Sequence, residues 1–87
     1  MKNTVTQNQI DNILHEACWN VETVYDKCTV VTCKLPNGFI IVESSACVDK
    51  VNYDVTMGEM ICRQRIANKV WELEGYCLQN KLYEEGK

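Results

Sequence analysis

Arg65 and Lys69 stand four residues apart in a stretch of helical periodicity, so one helix face presents both cations. Such a pair either solvates a helix surface or binds phosphate oxygens through charge-assisted hydrogen bonds. Phosphate binding needs polar partners, and the connection from Ser44 to Asn52 supplies Ser45, Asp49 and Asn52. Phe39 and Tyr53 flank that connection. Their rings either pack in the core or stack on a base, and an apolar pocket with a few convergent polar groups suits a nucleotide-sized ligand. Phe39, Ser45, Asp49, Asn52, Tyr53, Arg65 and Lys69 are therefore the candidate ligand-binding residues.

Catalysis finds less support. His15, the one histidine, falls opposite much of the apolar stripe of an N-terminal helix, where a solvated helix residue is expected in place of a general base. Glu72 and Glu74 are two apart on a helix and diverge. No Gly-rich phosphate loop, H-E-x-x-H or G-x-S-x-G string occurs. The six cysteines are Cys18, Cys28, Cys33, Cys47, Cys62 and Cys77. They form no C-x-x-C pair and have one histidine for company, which argues against structural zinc and predicts mostly buried, reduced core thiols. The expectation is a binding protein, not an enzyme, with no cofactor and no metal.

These residues need elements to hold them. Thr6 and Gln9 make a capping-box signal, and Ile10, Ile13, Leu14, Ala17, Cys18 and Val21 follow at helical spacing, which predicts a helix from about Gln7 to Trp19. The β-branched run from Thr23 to Leu35, the turn chemistry of Pro36-Asn37-Gly38 and the run from Phe39 to Ser45 predict an antiparallel hairpin. A split at Asp26-Lys27 makes it a three-stranded meander. The small polar residues after Ser44 predict a short helical turn, then a cap at Asn52 or Asp54 for a long helix from about Val55 to Asn80. One face of that helix gathers Gly58, Cys62, Ile66, Val70, Leu73 and Cys77. A second gathers Met60, Ala67, Trp71 and Leu78, and requires the first helix or a second subunit as cover. Gly75 is a weak point, and the tail from Lys81 to Lys87 is expected to fray.

A chain of 87 residues allows one small domain, spanning 1–87, which gains stability by oligomerising. With 46% hydrophobic and 24% charged residues it is not a disordered chain. A net charge of −3 opposes a nucleic-acid coat or a polybasic membrane binder, while leaving room for a small anionic ligand. The stretch Met1–Asn8 has no apolar core of signal-peptide length and no run reaches the length of a membrane helix, so a soluble protein of the cytoplasm is expected.

Three stretches carry a resemblance: CTVVTCKLPNGFI from Cys28 to Ile40, SSACVDKVNYD from Ser44 to Asp54, and the stretch from Met57-Gly58-Glu59 through KVWELEGY at Lys69 to Tyr76. Together they resemble the small phage protein family named after gene 49 of phage N4 and gene 66 of phage Sf6, over roughly residues 7 to 80. The chain departs from it at Lys50, where a proline often follows Val48-Asp49. The resemblance implies kinship with the Thoeris anti-defence sponges, which sequester a cyclic ADP-ribose-type immune signal intact, related sponges holding cyclic oligonucleotides of the CBASS type. It further implies an oligomer, at least a dimer, in the host cytoplasm, and points to Phe39 and the Asp49/Asn52 region for ligand contacts. The reading is thus an α+β domain (N-terminal helix, small antiparallel sheet, long C-terminal helix) that binds a cyclic nucleotide without cleaving it. The rivals are a small phage protein that docks on a host protein through the Trp71 face, and a metal binder using several cysteines.

Overall fold

The computed structural model describes residues 3–86. Helix α1 (Gln7–Glu16) leads into strands β1 (Cys18–Val24), β2 (Cys28–Lys34) and β3 (Ile40–Ala46), and after a single 3₁₀ turn (Lys50–Asn52) the chain ends in helix α2 (Val55–Glu85). The strands form an antiparallel sheet in the order β1-β2-β3. This is the expected α+β meander between two helices.

The capping box is half made. Thr6 Oγ1 accepts from the Gln9 N–H at 3.2 Å, but the Gln9 side-chain amide leaves the cap and donates to Glu74 Oε1 at 3.0 Å, tying α1 to α2. The first helix stops at Glu16, short of the expected Trp19. Ala17 is already extended, and Trp19, Val21 and Thr23 alternate toward α2 as strand residues. The indole Nε1–H of Trp19 donates to Leu14 O at 3.0 Å, satisfying a carbonyl at the helix end.

Both hairpin turns follow from local chemistry, one more plainly than the other. Between β2 and β3, Gly38 takes φ +95°, its N–H donates to Leu35 O, and Asn37 Oδ1 accepts from Phe39 N–H at 3.0 Å. Between β1 and β2, Tyr25 and Asp26 adopt positive φ without glycine, and Lys27 N–H donates to Val24 O at 3.3 Å. The split anticipated at Asp26-Lys27 is this turn.

One face of the sheet meets α2. Val31, Cys33 and Ile41 from the strands close against Cys62, Ile66 and Val70, with Ile10 and Leu35 completing the buried cluster. Gly58 lets α2 approach most closely: a Cβ there would lie 2.8 Å from Thr29 Cβ and nearer still to its hydroxyl. Asp54 caps the helix, its Oδ1 accepting from Thr56 and Met57 N–H at 2.9 and 3.3 Å.

The sheet supports only part of α2. A 31-residue helix is about 46 Å long, whereas seven-residue strands span about 23 Å. The expected apolar stripe is therefore buried from Gly58 to Val70, while Leu73 and Cys77, placed in that stripe by periodicity, are exposed. Nor does the tail fray from Lys81. Helix α2 passes through Gly75 and runs to Glu85, where Gly86 N–H donates to Leu82 O at 3.0 Å; Lys87 lies outside the described residues. Trp71, like Ile13, Leu14 and Ala17, packs partly buried against the core, so the second face finds part of its cover within the chain, leaving Met60 exposed.

Candidate functional site

The seven candidate residues divide between neighbouring places along β3. Phe39 and Lys69 line a groove of about 560 Å³ with Ile40, Ile41, Val42, Glu72, Leu73 and Tyr76. Ser45, Asn52 and Tyr53 line a smaller recess of about 160 Å³ with Cys47, Asp54, Met57, Gly58 and Ile61. Arg65 stands at the strand by Ser44, and Asp49 belongs to the loop's own architecture.

The groove is the site with the dimensions of a ligand pocket. Strand β3 forms one wall and the part of α2 that overhangs the sheet forms the other. Phe39 enters it because Gly38 turns the chain directly before the strand. Tyr76, 68% exposed, enters because it lies seven residues after Lys69 on the same helix face. Lys69 Nζ is held 2.7 Å from Glu43 Oε2, an ion pair whose carboxylate is the better shielded partner. The groove thus offers two aromatic rings, an apolar strand, one cation and the carboxylate of Glu72.

Sequence reasoning named Phe39 and Lys69 here and missed Leu73 and Tyr76. The missed signal was the i, i+4, i+7 relation of Leu73 and Tyr76 to Lys69, hidden because Leu73 also fits the buried stripe.

The other candidates serve structure first. Arg65 Nη1 donates to Ser44 O at 2.9 Å. Asp49 Oδ1 accepts from Val51 N–H at 3.0 Å and caps the 3₁₀ turn. The Tyr53 hydroxyl lies 2.7 Å from Thr29 Oγ1 and 2.9 Å from Thr23 Oγ1, pinning the connection onto the sheet. Arg63 stacks its guanidinium 4.3 Å from the Trp19 ring centroid and pairs with Glu59 at 2.7 Å.

The thiols differ from the expected buried set. Cys33 and Cys62 are buried, Cys28 and Cys47 partly so, while Cys18 and Cys77 are exposed; all six are free. Cys18 is exposed because β1 turns it to the open face, Cys77 because α2 has passed the sheet. Burial pushes the Cys33 and Cys62 thiols above the ordinary 9.0, against the lowering pull of Arg63 on the first and Arg65 on the second. No group of three or more His, Cys, Asp or Glu side chains placed to hold a metal occurs among the described residues. His15 is exposed in the last turn of α1.

A three-stranded meander backed by one long helix, with a groove where the helix overhangs the edge strand, defines a small α+β domain. The family model of the phage protein (N4 Gp49/phage Sf6 gene 66) family matches residues 5–82, and the chain belongs to that family. No curated protein and no solved structure matches it. Among the described residues no helix is long and apolar enough to cross a membrane.

Proposed function

We propose that this phage protein binds a cyclic nucleotide immune signal, of the glycocyclic ADP-ribose or cyclic oligonucleotide type, and sequesters it without cleavage. The observation that carries the reading is the convergence of Phe39, Tyr76 and Lys69 on a groove of about 560 Å³. Aromatic rings stack on bases of any identity, worth about 1–3 kcal/mol per base, and a lysine can exchange its carboxylate partner for a phosphate. Sequestration needs affinity alone, and the groove holds no nucleophile paired with a base. The one histidine lies on α1.

Calorimetry against glycocyclic ADP-ribose and cyclic dinucleotides, with mass spectrometry of the recovered ligand, tests the reading. Binding is expected with the ligand returned intact. Phe39→Ala and Lys69→Ala are each expected to weaken it about tenfold or more, from the loss of one stacked ring or one charge-assisted bond. A cleaved product would make the protein an enzyme. No binding to any of these ligands would turn the reading toward docking on a host protein.

A further inference from the structure

Glu43 stands where strand chemistry does not ask for a carboxylate. Alternate residues of a strand share a face, so Glu43 falls with the buried Ile41 on the side toward α2. Its row across the sheet runs Val21, Val31, Glu43, two valines and then an acid. An apolar residue there would extend the core and suit the strand, since glutamate is depleted in strands and seldom buried. The side chain is 15% exposed, and among the described residues its one ion-pair partner is Lys69. Arg65, one turn earlier on α2, donates instead to Ser44 O.

A shielded ion pair is weak evidence of a stabilising device, because desolvation offsets the attraction and an apolar pair does as well. What this pair does change is the charge the groove presents. Among the described residues that line the groove, Lys69 is the one cation. Its side chain, 52% exposed, is within reach of a ligand, but a carboxylate oxygen of Glu43 lies 2.7 Å from its ammonium group. Glu72 adds a second carboxylate to the lining. One positive and two negative charges at such separations attract no bare anion. Free phosphate would have to displace a carboxylate that the strand already holds in place, exchanging one charge-assisted bond for another. A ligand that also lays rings on Phe39 and Tyr76 has a second source of binding free energy. Lysine has three donors, so a phosphate positioned by stacking can share the ammonium group with Glu43.

We infer that Glu43 is a specificity-determining residue of the groove: it engages the Lys69 ammonium group in the empty site, so that charge alone fills nothing and an anion is held only when joined to a stackable ring. The inference rests on the groove being the ligand site proposed above, and it narrows the ligand to phosphates that carry bases. Attraction to phosphate is common to every competing anion. Discrimination among them therefore needs an unfavourable element as well as a favourable one, and Glu43 supplies it.

Glu43→Gln removes the charge while keeping the length and an acceptor for Lys69. Glu72→Gln removes an equal charge from the same groove without touching the pair. Calorimetry on the full chain at low ionic strength, with inorganic pyrophosphate and a cyclic dinucleotide as probes, compares them. Glu43→Gln is expected to bind pyrophosphate about tenfold or more tighter than the wild type, the scale of one charge-assisted bond. The dinucleotide is expected to gain by a smaller factor, so its advantage over pyrophosphate narrows. Glu72→Gln is expected to gain about threefold or less, the scale of an exposed charge, and adding Lys69→Gln to Glu43→Gln is expected to abolish the gain. Far-ultraviolet dichroism verifies folding, and Glu43→Thr, whose branched side chain suits a strand, repeats the comparison if the glutamine variant does not fold. Equal gains in Glu43→Gln and Glu72→Gln, a gain that survives the loss of Lys69, or an unchanged preference for the dinucleotide overturns the inference. A wild type that binds no cyclic nucleotide refutes the ligand reading, and the pyrophosphate comparison then decides the role of Glu43 by itself. No gain in Glu43→Gln beside a wild type that binds the dinucleotide refutes the inference alone.

Discussion

Removing the hydroxyl of Tyr53 separates anchoring from ligand recognition. Thr29 is fully buried, and the one side-chain hydroxyl within reach of its Oγ1 belongs to Tyr53, at 2.7 Å. Tyr53→Phe keeps the ring but leaves a buried hydroxyl unpaired, a loss of about 1–3 kcal/mol. The other partner, Thr23, is exposed and recovers water. Thr29→Val removes the opposite end and leaves the tyrosine hydroxyl with Thr23, so it should cost less, about 0.5–1.5 kcal/mol. The double variant leaves no orphan, and its loss should fall short of the summed single losses by about 1 kcal/mol or more. Urea unfolding followed by tryptophan fluorescence measures all four proteins, with a common denaturant slope as the control. At this chain length 1 kcal/mol moves the thermal midpoint by about 4–8 °C, so heat denaturation gives an independent reading. Strict additivity would refute the coupling and release Tyr53 from its structural role.

Three further outcomes follow from the same packing. Gly58→Ala gains about 1 kcal/mol of helix propensity but drives a methyl group into the Thr29 side chain, an overpacking of about 1–3 kcal/mol, so the variant should unfold at lower urea; an equal or higher midpoint contradicts the close approach. Iodoacetamide should label Cys18 and Cys77 rapidly in the native protein and Cys33 and Cys62 only after unfolding, as peptide mass mapping would show. The raised pKa values of the buried pair mean that the folded chain retains protons the unfolded chain releases. Their stabilisation is full below about pH 9 and is lost as pH rises through the folded-state values. The fall in unfolding free energy between about pH 8 and about pH 10 should therefore be smaller in Cys62→Ala than in the wild type, and equal falls would contradict it.

Much of the fold was legible because its signals are local. Thr6 and Asp54 cap the helices as their side chains require, Asn37-Gly38 turns the chain, and Gly58 through Val70 carries the buried stripe. The misreadings occur where two periods coincide or a boundary is set by tertiary structure. Ala17, Cys18 and Val21 satisfy both helical and strand spacing, so the end of α1 depended on Trp19 reaching back to Leu14. Leu73 and Cys77 continue a stripe whose opposing sheet has already ended, and sequence periodicity carries no information about where that happens. The site was half legible for a related reason. Phe39 and Lys69 announce themselves by type, but their union with Tyr76 depends on how α2 crosses β3, and the hydroxyl cluster of Tyr53, Thr29 and Thr23 unites three distant positions.

The order of elements also fixes an order of events during synthesis. Each strand pairs with its neighbour in sequence, so both hairpins can close over a few residues as soon as they leave the ribosome. Helix α2, which covers the row Val31, Cys33 and Ile41, is translated last. The sheet therefore emerges with that row bare, shielded at most by α1, and stays so until Val70 is out. That interval is when a bare apolar sheet is most exposed to association between nascent chains.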